Sequence, residues 1–270
     1  MIKVNNEILN LSQFPDHTSA FRFDASKAYL QDPFNPRFEI TWKYEGDHEC
    51  ILLWYLVNHV RSTVDTDFPP VIRLYMDYIP NARMDRVKNQ DEVFTLKYFA
   101  EFLNMMKLNK VIVFDPHSNV APALINRVQV INADAKIWKI INHIDDPDLL
   151  LCYPDDGANK KYSEIIRSEY IFGIKHRDWR SGDVQSLELI TPDRIKDRNV
   201  LIIDDICSKG RTFTFTAKAL KAAGAKDIYL YISHCEETIK KGTILTDGLI
   251  KHVYTTDSIY KGDYSMITVV

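Results

Sequence analysis

Apolar runs rich in β-branched residues recur at 38–44, 71–76, 110–114, 149–152, 171–175, 200–203 and 227–232, and most intervals between them carry helical periodicity. Runs this short and this apolar fit strands covered on both faces by helices, so the alternation predicts α/β architecture with mainly parallel sheets. The helical intervals are 50–61, 90–106 and 212–223. The second carries Val93, Phe94, Leu96, Tyr98, Phe99, Phe102 and Leu103, mostly on one broad face, and the third is followed by Gly224 where a C′ glycine would end it. The stretch 132–147 is polar and irregular and reads as a linker. It predicts two domains, 1–140 and 141–270, each a mainly parallel sheet flanked by helices, with the last residues able to pack back on the first domain.

Composition narrows the function. With 34 Lys+Arg against 37 Asp+Glu the net charge is -3, and no basic run occurs, so neither nucleic acid nor an anionic membrane is an expected partner. Of nine glycines only Gly46 precedes Gly157, and neither G-x-x-x-x-G-K-[ST] nor G-x-G-x-x-G occurs, which argues against a P-loop NTPase and a dinucleotide-binding Rossmann enzyme. The start shows no signal-peptide pattern, and the longest apolar run, 50–57, is too short to cross a bilayer. Cys50, Cys152, Cys207 and Cys235 form no C-x-x-C pair and read as free thiols of a cytoplasmic protein.

Four polar clusters each follow a predicted strand, where open α/β sheets bind ligands. In the first, strand 200–203 delivers Asp204 and Asp205, and Ser208, Lys209, Gly210, Arg211 and Thr212 then open a helix. Helix N–H groups, two hydroxyls and two cations make an anion cradle, while the adjacent acids suit sugar hydroxyls or hydrated Mg²⁺. In the second, Arg83, Asp85 and Arg86 could hold a polyphosphate through bidentate contacts or form a solvated Arg–Asp pair. The third places His117 and Ser118 after Asp115, where the histidine can ligate a metal, touch a phosphate or be partly buried beside a capping serine. The fourth comprises Asp155, Asp156 and Gly157, with Lys175 and Arg177 after the next strand; a Lys-x-Arg at a strand end is ordinarily a surface feature.

The first cluster resembles the phosphoribosyl-binding signature of the type I phosphoribosyltransferase fold. In order and spacing, the second and third resemble the ATP-binding and Asp-x-His-Ser stretches of ribose-phosphate pyrophosphokinases, and the fourth is similar to that family's Pro-Asp-x-Gly loop and basic catalytic loop. The resemblance covers residues 71–235. It implies two phosphoribosyltransferase-like domains with the active site between them, and pyrophosphoryl transfer from Mg-ATP to the anomeric hydroxyl of ribose 5-phosphate, giving phosphoribosyl pyrophosphate (PRPP) and AMP. It further implies that His117 and Asp155 hold Mg²⁺ and that Arg83, Asp85, Arg86 and His117 position ATP. Lys175 and Arg177 would stabilise the transferring group together with His117. Asp204 and Asp205 would bind ribose hydroxyls, the Ser208 to Thr212 loop the 5-phosphate end, and the Asp155, Asp156, Gly157 turn pyrophosphate.

Some positions depart from the family. Met84 stands where the ATP motif usually has Gln, and the loop has Ser208, Lys209 and Arg211 where Asp-Thr-x-Gly-Thr is common. The added cations suit an acceptor with more phosphate, so ADP-ribose is carried as an alternative acceptor. Phe14 and Asp16 stand for a family segment that contacts adenine from a neighbouring subunit, without its Gly and Glu. The elements beyond Tyr254 are compressed, so a homodimer or higher homo-oligomer is expected without the family's hexamer or allosteric site being implied. A phosphoribosyltransferase proper and a catalytically silent regulatory homologue are the rival classes.

Overall fold

The apolar runs become the central strands of two separate sheets. The computed structural model describes residues 1–26, 32, 34–64, 68–177 and 184–270, with side chains described for all of these except 176, 177 and 184–186, and it divides into Met1–Ile131 and Asn132–Val270. The first unit contains β1 (Ile2–Val4), β2 (Glu7–Ile8), β3 (Leu11–Gln13), β4 (Ser19–Phe21), β5 (Arg37–Trp42), α1 (His48–Thr63), β6 (Val71–Met76), α2 (Thr95–Met105), β7 (Lys110–Phe114), α3 (Val120–Leu124) and β8 (Val128–Ile131). Its main sheet runs β2-β1-β5-β6-β7-β8, with β5 to β8 parallel and β1 antiparallel to both neighbours, while β3 and β4 form a separate hairpin. Alternate residues of β5 and β6 (Phe38, Ile40, Trp42; Ile72, Leu74, Met76) are buried in one cluster with Leu52, Leu56 and Val60 of α1 and Leu96, Phe99 and Leu103 of α2. Period two on the strands thus meets period 3.6 on the helices.

Helix α2 begins at Thr95, later than the periodicity from residue 90 predicts. Over 88–92 the Glu92 carboxylate accepts the Lys88 N–H at 2.7 Å and the Asn89 side-chain amide at 2.9 Å, a local loop that replaces the first helical turn.

The second unit contains α4 (Asp134–Ile144), β9 (Leu150–Tyr153), α5 (Asp156–Tyr162), β10 (Tyr170–Arg177), β11 (Val184–Leu189), β12 (Val200–Cys207), α6 (Arg211–Ala222), β13 (Ile228–Cys235), β14 (His252–Thr255) and β15 (Ile267–Val269). The sheet order is β11-β10-β9-β12-β13-β14-β15, parallel throughout except for the β10–β11 pair. The C-terminal ends of β9, β10, β12 and β13 therefore share one sheet edge. Gly224, at φ +89, ends α6 as expected, its N–H donating to the Lys221 carbonyl.

The expectation of an irregular linker over 132–147 is corrected. Ala133, Ile137, Ile140 and Ile144 recur at helical spacing among polar residues, and α4 buries Ile137 and Ile140. Residue 140 lies inside this helix, and the division falls before it. Among the described residues the cysteines are free, and no helix is long and apolar enough to cross a membrane.

Candidate active site

Three carboxylates and two lysines gather at the C-terminal edge of the second sheet. Strand β9 leads through Pro154 to Asp155, which caps α5 by accepting the Ala158 N–H at 2.9 Å. Its other oxygen lies 2.5 Å from Lys175 Nζ, delivered by the neighbouring strand β10; the Lys175 side chain is only 9% exposed. The two strands lie close here because residue 173 is glycine: a Cβ there would come 3.0 Å from the Pro154 carbonyl oxygen. Strand β12 brings Asp204 and Asp205 alongside. Asp204 accepts its neighbour's N–H at 2.9 Å, and Lys161 Nζ of α5 lies 3.1 Å from Asp205 Oδ2.

Burial pushes the Asp155 carboxyl up, but the Lys175 charge and hydrogen bond outweigh it and hold the group below its ordinary value. Asp204 goes the other way. Burial, then the charges of Asp205 and Asp155, raise it to about 8. A carboxyl raised on folding contributes stability that is complete below its unfolded value, near 4, and is lost as pH rises through 8. Asp204→Asn is therefore expected to melt above the wild type at pH 9, with the gap closing towards pH 4. A gap that does not vary with pH contradicts that electrostatic account.

The next loop is held from behind. Gly210 sits at φ +76 in front of α6, and a Cβ there would meet Ile244 Cγ2 at 2.9 Å. Ser208 Oγ lies 3.0 Å from Thr238 Oγ1, which donates to Glu236 at 2.9 Å. A Cβ on Gly242 would come 1.9 Å from the Lys209 carbonyl oxygen. So braced, the loop presents the first N–H groups of α6, which have no intrahelical acceptor, beside the exposed Lys209 and Arg211. The Arg211 guanidinium lies 5.9 Å from the Phe215 ring centre.

Asp156 points to solvent and pairs with Lys160 at 2.6 Å, and Gly157 lies in the first turn of α5, so the predicted pyrophosphate turn is a helix N-terminus. The Arg177 side chain lies outside the described residues. Lys161, Thr238 and Gly242 were not singled out by sequence reasoning. Helical spacing offered one signal, since Lys161 follows the buried Ala158 by three residues and precedes the buried Tyr162.

In the first unit, β6 and β7 are parallel neighbours, so their following loops meet. Asp85, which is buried, takes Arg86 Nε at 2.9 Å. Burial raises the Asp85 carboxyl, but hydrogen bonds from Arg86 and Ser118 and the charges of Arg86 and His117 bring it below its ordinary value. Arg83 and His117 are exposed at the same loops. Phe14 and Asp16 form the tip of the β3–β4 hairpin, with Phe14 exposed and Asp16 accepting the Thr18 N–H at 3.0 Å and hydroxyl at 2.7 Å.

The oxygen donors of Asp155, Asp204 and Asp205 fit Mg²⁺ in hardness. Among the described residues no three metal-binding side chains converge into a cage. His117, an imidazole, fits Mg²⁺ less well by itself.

Two mainly parallel sheets flanked by helices, one with an acidic strand end running into a loop and a helix start, define an α/β fold of the phosphoribosyltransferase type. The crystal structure of phosphoribosylpyrophosphate synthetase from Mycobacterium smegmatis shares it at TM-score 0.76, covering 97% of this chain and 85% of that one at 16% identity. The sequence is 26% identical to ribose-phosphate pyrophosphokinase of Saccharolobus solfataricus over 275 residues, spanning 100% of this chain and 89% of the relative. It is 23% identical to ribose-phosphate pyrophosphokinase 2 of Schizosaccharomyces pombe over 223 residues, 81% of this chain and 68% of the relative. No family model matches. The resemblance to the ribose-phosphate pyrophosphokinases read from the motifs thus extends along the whole chain.

Proposed function

We propose that this chain transfers the β,γ-diphosphate of Mg-ATP to the anomeric hydroxyl of ribose 5-phosphate, forming PRPP and AMP. The observation that carries the reading is the Lys175–Asp155 pair set beside Asp204 and Asp205 at one sheet edge, a cation and acids gathered just ahead of the anion-accepting start of α6. Asp204 and Asp205 accept from the ribose hydroxyls, and the Ser208 to Thr212 loop binds the 5-phosphate end through the α6 N–H groups. Arg83, Asp85, Arg86 and His117 bind ATP, with Asp85 keeping the Arg86 guanidinium oriented. Lys175, with Arg177 and His117, stabilises charge on the group in flight.

Asp155 and His117 are the residues assigned to Mg²⁺. When bound, the ion offsets phosphate charge. Positioning and electrostatics suffice for such a transfer, so no covalent enzyme intermediate is required.

A second reading changes only the acceptor. Exposed Lys209 and Arg211 flank the 5-phosphate end, and they favour ADP-ribose, whose diphosphate carries more charge there. The test is AMP release from ATP and Mg²⁺ with ribose 5-phosphate or ADP-ribose supplied separately. Release with ribose 5-phosphate supports the first reading, and faster release with ADP-ribose selects the second. No AMP with either acceptor overturns both.

A further inference from the structure

We propose that Lys161 is a positioning residue: its ammonium fixes the Asp205 carboxylate for the sugar hydroxyls and so sets affinity for the ribose-phosphate acceptor. The inference rests on the function proposed above. Lys161 Nζ lies 3.1 Å from Asp205 Oδ2, with the two side chains 21% and 8% exposed, and it also lies 5.0 Å from the Tyr162 ring centre. It is held on the sheet-facing side of α5 and is not a solvated surface lysine such as its neighbour Lys160, which is 75% exposed in its pair with Asp156.

Each lysine meets a different acid. Lys175 answers Asp155 from β10, and Lys161 answers Asp205 from α5. An anionic sugar phosphate approaching the Asp155 and Asp205 carboxylates is repelled unless their charge is balanced, and the nearer the balancing cation the smaller the penalty. Holding Oδ2 also fixes the rotamer of Asp205, and with it the direction in which Oδ1 accepts. Because ribose hydroxyl contacts change little between bound substrate and transition state, their loss weakens binding much more than turnover.

The experiment compares wild type, Lys161→Met and Lys161→Arg in steady-state AMP release, with ribose 5-phosphate and ADP-ribose in parallel series, and adds calorimetry of each acceptor without ATP. Lys161→Met is expected to raise the acceptor KM and the calorimetric Kd by about 10-fold or more. Its kcat and ATP KM should stay within about 3-fold of wild type, with Lys161→Arg recovering most of the loss. An unchanged acceptor KM and Kd, equal rises in both substrates' KM, or a fall in kcat alone overturns the proposal. So does failure of Lys161→Arg to rescue.

The calorimetric arm separates this idea from the reading it rests on. If wild type binds an acceptor and Lys161→Met weakens that binding but no AMP forms, the proposed reaction fails and the role of Lys161 stands. If AMP forms and Lys161→Met binds acceptor normally, the reaction stands and the role falls. If wild type binds neither acceptor and forms no AMP, both fall.

Discussion

Lys175→Ala is expected to keep the fold and to lower turnover by roughly 100- to 1000-fold, the scale for deleting one donor that stabilises charge in the transition state. The fold should survive because β10 pairs with β9 through Tyr170, Ile171 and Phe172, ahead of this residue. The chemistry should not, because the ammonium is, in the proposed reaction, the cation for the group in transit, and it is the partner that lowers the Asp155 carboxyl. Without it, burial and the Asp205 charge act on Asp155 with less opposition, and its carboxyl rises. Initial rates of AMP release, read beside a melting curve, separate the two effects. Near-normal release from folded Lys175→Ala removes the lysine from the chemistry.

Gly242→Ala should be the most damaging single-methyl change near the site. The added Cβ falls 1.9 Å from the Lys209 carbonyl oxygen, which is backbone and cannot rotate away, so the loop from Ser208 to Gly210 must move. Overpacking of this kind costs about 1–3 kcal/mol. The same shift disturbs the Ser208–Thr238 contact and the start of α6. Acceptor KM should rise by about 10-fold or more, because a misplacement near 1 Å can cost about 100-fold. Gly248→Ala is the control, since a Cβ there meets nothing within 4 Å, although φ +69 makes it a mildly strained site too. If Gly242→Ala matches Gly248→Ala in melting temperature and acceptor KM, Gly242 does not brace this loop.

The parts of the fold legible in the sequence are those whose signal is continuous along the chain. The β12 run, its two acids and the loop into α6 are contiguous, so one reading of 200–212 yields strand, carboxylates and helix start together. The core strands β6 and β7 announce themselves because their apolar runs are bounded by turns. Helix α4 was concealed because its apolar residues recur among lysines, asparagines and aspartates, and only three-dimensional packing shows that Ile137 and Ile140 are buried. Strands β14 and β15 are four and three residues long, too short for alternation to register.

The site divides in the same way. Asp155 and Lys175 could each be singled out, but their contact depends on the pairing of β9 with β10 across 20 residues of chain. Thr238 and Gly242 act through the backs of loops, where no motif marks them. In the first unit, the meeting of Asp85 with Ser118 and His117 follows from the adjacency of β6 and β7, which helical and strand periodicity alone does not specify.

The measurement that tests the central claim most directly follows the phosphorus atoms of ATP. Phosphorus NMR of a reaction containing the chain, Mg²⁺, ATP and ribose 5-phosphate, with an ADP-ribose reaction alongside, shows which bond breaks. The account predicts AMP and a diphosphate ester on the acceptor in equal amounts, the β and γ phosphorus atoms remaining joined. ADP with a monophosphorylated acceptor, or unchanged ATP in both reactions, contradicts it.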